Sequence, residues 1–226
     1  MVRLIRDAVL AAIADEAARF AGGKDRPRVI DVGCGGQPFR NALESAGFEY
    51  HSLDALQNAK GSVEFVGAID ATLPDALRRT APFDLVLCTE VLEHVADWRP
   101  AFANVACLTA TGGRVILTCP HLYELHEEPC DFFRSTPYAI RHWAEAAGLR
   151  VLRCEKLGTS WDALGTVLAS FRIRPGDGSV RSRLTAYWTR KITKGLSRRL
   201  ASGWIQRSAR AEGPLYLSNF AILERP

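Results

Sequence analysis

The stretch Val29-Ile-Asp-Val-Gly-Cys-Gly-Gly36 sets a β-branched strand directly before a turn built from glycine. A helical stretch, Phe39–Ala46, follows it. Glycine lets backbone approach a ligand closely, and the helix beyond the turn points its N-terminus at the same place. Such a turn belongs at the carboxyl edge of an open parallel sheet, where these sheets bind ligands. The alternation continues outward. Strand-like runs lie at Arg28–Val32, Glu49–Asp54, Val63–Ile69, Asp84–Cys88, Arg114–Cys119 and Leu149–Cys154. Helical stretches fall between most of them, at Phe39–Ala46, Leu73–Arg79, Pro100–Thr109 and Thr136–Ala147. Leu85-Val-Leu-Cys88 and Val115-Ile-Leu117 are unbroken apolar runs, as strands covered on both faces require. This predicts an α/β fold, a mainly parallel sheet with helices on both faces.

Ahead of the core, Val2, Ile5, Val9, Ile13, Ala17 and Phe20 recur at helical spacing, and Gly22-Gly23 ends that helix. Behind it, Leu215–Leu223 reads as a last strand. One domain over 1–226 is expected: an N-terminal helix (1–23), a core (28–156), a basic helical insertion (157–214) and a final strand (215–223). The 226 residues can bury a core without metal or disulfide staples. A net charge of +4 is too weak to imply nucleic acid. None of the six cysteines forms a C-x-x-C pair and several sit in apolar runs, as expected of reduced thiols in a cytoplasmic protein. Asp7, Asp15 and Glu16 interrupt the first helix, which is therefore not expected to be a signal peptide. No apolar run approaches the roughly 20 residues that span a bilayer.

Three acids end three successive runs: Asp31, Asp54 and Asp70. Asp54 is placed to accept hydrogen bonds from ribose hydroxyls. A dinucleotide fingerprint needs G-x-G-x-x-G, and after Gly33-x-Gly35 the third glycine is missing. Acid beneath the turn suits a cationic ligand better than a pyrophosphate. S-adenosylmethionine, with its sulfonium and ammonium, fits that charge; NAD does not.

Asp31-x-Gly-Cys-Gly35, Asp54, Ile69-Asp70-Ala71 and Phe83-Asp-Leu-Val-Leu-Cys-Thr-Glu-Val-Leu-Glu-His-Val95 together resemble the class I S-adenosylmethionine-dependent methyltransferases. Gly112-Gly-Arg-Val-Ile-Leu117 resembles that family's fifth strand and the turn before it. The resemblance covers most of Arg28–Cys154. It implies a Rossmann-like, doubly wound, seven-stranded sheet whose last strand, Leu215–Leu223, inserts antiparallel. It also implies that Asp31, Gly33, Cys34 and Gly35 line the methionine portion and that Asp54 holds the ribose. Asp70 and Ala71 would meet the adenine, and Thr89 and Glu90 would border the methionine end. Gln37 departs from the pattern, standing where many members carry another glycine.

Methyl transfer is an in-line displacement at a carbon already activated by sulfonium. The protein adds alignment, and a base where the acceptor is a weakly acidic hydroxyl. The stretch Cys119–Pro137 packs two histidines, four acids and an arginine among aromatics beyond the fifth strand. His126 or His121 could take a hydroxyl proton, with Glu127 or Asp131 orienting it. Arg134 could anchor an acidic acceptor group, and His94 and Tyr123 could touch the acceptor. Arg134 has a competing part, an ion pair with Asp131 at helix spacing, and Thr136-Pro137 reads as a helix cap followed by proline. His126-Glu-x-Pro129 and Asp131-Phe-Phe-Arg134-x-Thr136-Pro137 resemble methyltransferases of bacterial polysaccharide and natural-product pathways. Cys119, His121, His126 and Cys130 match no zinc spacing, and no metal is expected.

From Arg172 to Arg210 every charged residue but Asp177 is basic. Leu184, Trp188, Ile192, Leu196, Leu200 and Trp204 recur every fourth residue, an apolar face with arginine and lysine mostly opposite; Arg199 breaks the pattern. That face suits packing on the core, a homodimer contact, or peripheral contact with a membrane or lipid-linked substrate. The function expected is O-methylation of a sugar, glycan or natural-product hydroxyl. N- or C-methylation of another metabolite and a non-catalytic cofactor-binding module are the alternatives.

Overall fold

In this computed structural model, which describes residues 3–20, 23, 26–200, 202–209, 211 and 213–226, the β-branched runs form seven strands. They are β1 (Arg28–Val32), β2 (Glu49–Asp54), β3 (Phe65–Val66), β4 (Phe83–Thr89), β5 (Thr109–Pro120), β6 (Arg150–Leu157) and β7 (Ser218–Glu224). Val2, Gly22 and Arg210 lie outside the described residues. The strands form one sheet in the order β3-β2-β1-β4-β5-β7-β6. Pairs from β3 to β5 are parallel, and β7 inserts antiparallel between β5 and β6.

Helices α1 (Arg3–Phe20), α2 (Arg40–Ser45), α3 (Asp75–Thr80), α4 (Trp98–Leu108) and α5 (Pro137–Ala146) flank the sheet. Strand alternation divides the core in two. On one face Val86 and Cys88 of β4 meet Phe102 and Val105 of α4 and Ile140 of α5. On the other, Leu85 and Leu87 meet Ile5, Val9 and Ile13 of α1 with Phe39 and Leu43. Glu16 of α1, 3% exposed, pairs with Arg114 of β5 at 2.7 Å and Arg19 at 2.8 Å, fixing the helix on the sheet. Thr136 caps α5, its side chain accepting from the Ala139 N–H, with Pro137 in the first turn.

Two elements differ from the sequence reading. Strand β3 holds only two residues, since Ile69 and Asp70 lie in a turn where the Ala71 N–H bonds the Ala68 carbonyl. The basic segment is three helices: α6 (Ser160–Ser170), α7 (Val180–Leu200) and α8 (Gly203–Ser208). Ser202 starts α8 by capping the Ile205 N–H, so Trp204 lies beyond the α7 ridge. The two long helices pack closely at Gly165, where the Ser197 hydroxyl donates to the Gly165 carbonyl at 2.8 Å. Leu200 is buried, but Leu184, Trp188, Ile192 and Leu196 of α7 and Trp204 of α8 are exposed. Of the ridge only Leu200 is buried, and it packs beside Gly165 of α6. Cys34, Cys88 and Cys119 are buried, Cys154 is half-buried, and Cys107 and Cys130 are exposed; all are free.

Candidate active site

The strand order reverses between β1 and β4, and the loops leaving their carboxyl ends open a crevice. Asp31, near the end of β1, is 1% exposed and accepts a hydrogen bond from the Tyr50 hydroxyl at 2.9 Å. Burial pushes its pKa up to about 7, opposed by the Tyr50 hydrogen bond and reinforced by the charge of Asp54. Burial, with Asp31 and Asp54 nearby, likewise pushes the Cys34 thiol to about 11.

Gly33 turns the chain at φ 67°, and its N–H bonds the Leu53 carbonyl at 2.8 Å. A Cβ at Gly33 would lie 2.2 Å from Val91 Cγ2, so the loop passes beneath Val91 only because the residue is glycine. The Gly35 N–H donates to Asp54 Oδ2 at 2.8 Å, and Leu56 N–H to Oδ1 at 3.1 Å. Gln37 adopts φ 60° itself, and its amide donates to the Ser62 carbonyl at 2.8 Å and the Ser52 hydroxyl at 3.3 Å. The glutamine ties the loop through its side chain, which accommodates the departure at that position.

Two cavities adjoin there. One, of about 610 Å³, has Leu53, Asp54, Leu56, Ile69 and Asp70 along its wall. The other, of about 350 Å³, is lined by Asp31, Cys34, Thr89, Tyr123 and His126, with Ile5 of α1 at its edge. Gly33, Gly35, Glu90, His94 and Glu127 line both. Ala71 faces a separate hollow beside Asn104, whose amide donates to the carbonyls of Ile69 (2.7 Å) and Ala71 (2.8 Å). Of the adenine pair read from the sequence, Asp70 reaches the large cavity and Ala71 does not. Glu90 takes φ 53°, its N–H on the Thr118 carbonyl at 3.1 Å, and its carboxyl accepts from the Ser218 hydroxyl at 3.3 Å. Burial raises its pKa.

The acceptor stretch separates into residues that reach the cavity and residues that build the loop. His126 and Glu127 reach it; Tyr123 stands edge-on to His126, ring centroids 5.0 Å apart. His121 does not: its ring stacks flat on Tyr216 at 4.1 Å, and Nδ1 sits 2.8 Å from the Ser135 carbonyl. It braces the loop on the segment before β7 and lines neither cavity. Asp131, its side chain 1% exposed, receives both terminal nitrogens of Arg134 at 2.6 and 2.7 Å and the His126 N–H at 3.0 Å. Arg134 above all, aided by that backbone N–H, holds the Asp131 carboxyl far below the usual carboxylate range. Arg134 also donates to the carbonyls of Tyr123, Phe133 and Glu124. A guanidinium has five N–H donors, and these five bonds use them all. Arg134 holds the loop and has no donor left for an acceptor.

Glu93 is the site residue that the sequence reading passed over. It is fully buried, and neither carboxylate oxygen has a hydrogen-bond partner among the described residues. Burial, reinforced by Glu90, pushes its pKa to about 8. The one signal in the sequence is an acid inside the apolar block Val91-Leu-Glu-His-Val95.

The family pattern of a methyltransferase domain matches residues 5–153, about two thirds of the chain. The ubiquinone biosynthesis O-methyltransferase of Alkalilimnicola ehrlichii is 34% identical over 116 residues, covering 46% of each chain. The chain thus spans about half the length of the curated relatives it matches. Among solved structures, a methyltransferase dependent on S-adenosylmethionine from Archaeoglobus fulgidus superposes on 96% of this chain and 93% of its own. The TM-score is 0.54 at 16% identity. Phosphoethanolamine N-methyltransferase 2 of Haemonchus contortus, solved with S-adenosylmethionine, covers 96% of this chain and 52% of its own, TM-score 0.53 at 17% identity. At such identities the likeness is one of fold. The domain pattern, over the same residues that build the β1–β4 crevice, settles the family: this chain belongs to the S-adenosylmethionine-dependent methyltransferase domains.

Proposed function

We propose that this chain transfers the methyl group of S-adenosylmethionine to a hydroxyl of a small acceptor, a sugar or natural product carried at a lipid surface. The observation that carries it is the pair of adjoining cavities sharing Gly33, Gly35, Glu90, His94 and Glu127. The larger suits the adenosine, with Asp54 for the ribose and Asp70 near the base. Asp31, only partly ionised at neutral pH before binding, ionises against the cofactor ammonium. The smaller brings the sulfonium methyl beside Tyr123, His126 and Glu127. The acceptor oxygen forms its bond to the methyl carbon as the carbon–sulfur bond breaks, leaving S-adenosylhomocysteine. The hydroxyl proton passes to a group at the His126–Glu127 corner. The relatives' name, an O-methyltransferase of ubiquinone biosynthesis, supports a hydroxyl as the group methylated.

The lipid surface is supported by α7. Leu184, Trp188 and Ile192 stand exposed in line, and the arginines and lysines of that helix have no acidic partner among the described residues. An amphipathic helix of this composition lies in an anionic interface. No helix among the described residues is long and apolar enough to cross a membrane. Tyr123, Leu125, Phe132 and Phe133 add exposed apolar surface on the acceptor loop.

The test is an acceptor screen with isotopically labelled cofactor, read by mass spectrometry for a gain of one labelled methyl. Labelled sugar or natural-product hydroxyls support the reading; transfer to nitrogen or carbon, or to nothing, overturns it. Co-sedimentation with anionic vesicles, weakening as salt rises, tests the lipid surface. A dimer in solution with no vesicle binding would assign the ridge to a second copy instead.

A further inference from the structure

Glu93, His94 and His126 each offer a ligand atom, and these atoms all lie within 4.8 Å of one another. The donor set is one carboxylate and two imidazoles. His94 Nδ1 lies 2.7 Å from the Cys130 carbonyl and donates to it, leaving Nε2 as the lone pair, 3.9 Å from Glu93 Oε1. His126 Nδ1 lies 3.2 Å from the Glu124 carbonyl and 3.3 Å from Asp131 Oδ2, again leaving Nε2 free. Imidazoles that bind metals donate their other N–H to a carbonyl or carboxylate in this way, which fixes tautomer and ring orientation. Asp131 is in turn clamped by Arg134. The second histidine therefore has an outer shell as well as a position.

The independent sign is Glu93. A fully buried carboxyl with both oxygens unpartnered is costly, since burying a polar group without a hydrogen bond is unfavourable in either protonation state. A cation beside it removes that cost and gives the acid a reason to be there. Metal–ligand bonds of about 2.0–2.2 Å hold ligand atoms about 3–4 Å apart. The cluster needs to close by about 1–2 Å to reach that spacing.

We propose that Glu93, His94 and His126 form a binding site for a divalent transition-metal ion at His94, which lines both cavities. Two imidazoles with one carboxylate suit zinc, manganese, iron, cobalt or nickel and disfavour calcium and magnesium, which take oxygen. The exposed Glu127 carboxylate, 3.8 Å from His94 Nε2, is at hand to accept a proton or complete the shell. This deepens the methyl-transfer reading and rests on it: an ion there lowers the pKa of an acceptor hydroxyl that reaches it. His126 then serves as ligand, and the hydroxyl proton passes to Glu127. Spacing along the sequence had suggested no metal, because Glu93 and His94 lie on the short turn after β4 and His126 on the loop after β5.

The test titrates cobalt(II) alone into the chelator-treated full chain, reading the visible d–d absorption, with zinc as competitor. Stoichiometric binding is expected. Glu93→Gln and, separately, the more exposed His126→Gln should weaken it by more than the about 10–100-fold that loss of an outer partner costs. Binding of S-adenosylhomocysteine by calorimetry reports whether each variant remains folded. Absence of a stoichiometric cobalt spectrum, or equal affinity in the wild type and folded His126→Gln, overturns the site. In either case retained cofactor binding and transfer in the acceptor screen leave the methyltransferase reading standing.

Discussion

Replacing Gly33 with alanine probes the joint between the cofactor loop and the block that follows β4. Two costs apply. At φ 67° an L-residue sits in the left-handed region, which costs about 1–2 kcal/mol. The new Cβ would also stand 2.2 Å from Val91 Cγ2 and 3.1 Å from Cγ1. Carbon atoms rest about 3.5–4.0 Å apart, so Val91 or the loop must retreat by more than an ångström. Overpacking of that kind adds about 1–3 kcal/mol. The sum, about 2–5 kcal/mol, lowers the urea midpoint by about 1–2 M for a slope of 2–3 kcal/mol per molar. Urea unfolding monitored by circular dichroism reads it directly, and calorimetry with S-adenosylhomocysteine should show weakened binding in the same variant. Adding Val91→Ala isolates the steric share: alanine at 33 should cost about 1–3 kcal/mol less in that background than in the wild type. A Gly33→Ala midpoint within about 0.3 M of wild type would refute the close-approach reasoning, as would an equal cost in both backgrounds.

Four further outcomes follow from the site. Asp31, with a free-protein pKa of about 7, must give up its proton to meet a cationic cofactor, so affinity should rise with pH from 5 to 7 and then level. Calorimetry in buffers of different ionisation enthalpy checks this, and Asp31→Asn should abolish the dependence. The same raised pKa means that stability of the cofactor-free chain falls as pH rises between about 4 and 7, because the unfolded carboxyl ionises first. His126→Ala should cut turnover by about 10²–10⁴-fold with cofactor affinity nearly unchanged, whereas His121→Ala should lower stability and spare much of the turnover. Equal losses of turnover would refute the division of roles between the two histidines. Arg134→Met should cost about 1–3 kcal/mol of stability by stripping Asp131 of its partner. A raised acceptor KM in a chain of wild-type stability would instead make Arg134 an acceptor anchor.

The architecture was legible because strands buried on both faces must read as apolar runs, and Leu85-Val-Leu-Cys88 and Val115-Ile-Leu117 do. Asp31 and Asp54 stood out as acids closing strands beside a glycine turn, and folding brings both to the crevice, where each also serves the fold by accepting hydrogen bonds, Asp31 from Tyr50 and Asp54 from the Gly35 and Leu56 N–H groups. Ala71 parts from Asp70 because the third run ends in a turn beyond β3, which sets Ile69 and Asp70 on the cavity and Ala71 on the hollow beside Asn104. His121 and His126 look alike in the sequence. What separates them is Tyr216, far along the chain, which takes one ring out of the site. Glu93 hid for the opposite reason: it sits beside His94 in an otherwise apolar block, and only folding shows that neither of its carboxylate oxygens has a hydrogen-bond partner among the described residues. The α7 ridge was legible as a pattern, while its exposure is a tertiary fact.

The acceptor loop leaves and rejoins the sheet at nearly one point, for the Ser135 N–H bonds the Pro120 carbonyl at 3.2 Å and Asn219 of β7 holds the Ser135 carbonyl at 3.0 Å. Between those ends, Arg134 and Asp131 close a ring of bonds that depends on the loop's own atoms and hardly on the sheet. His126 and Glu127 must stay on this loop, and the Phe132 and Phe133 N–H groups tie it to the Glu93 carbonyl, but the exposed side chains beside them can change. Substitutions at Tyr123, Leu125 or Phe132 alter the surface shown to an acceptor without disturbing β5, β7 or the cofactor turn. Changes confined to those side chains leave the sheet and the cofactor turn in place, so an engineer seeking a different surface beside the crevice has a bounded set of positions to vary.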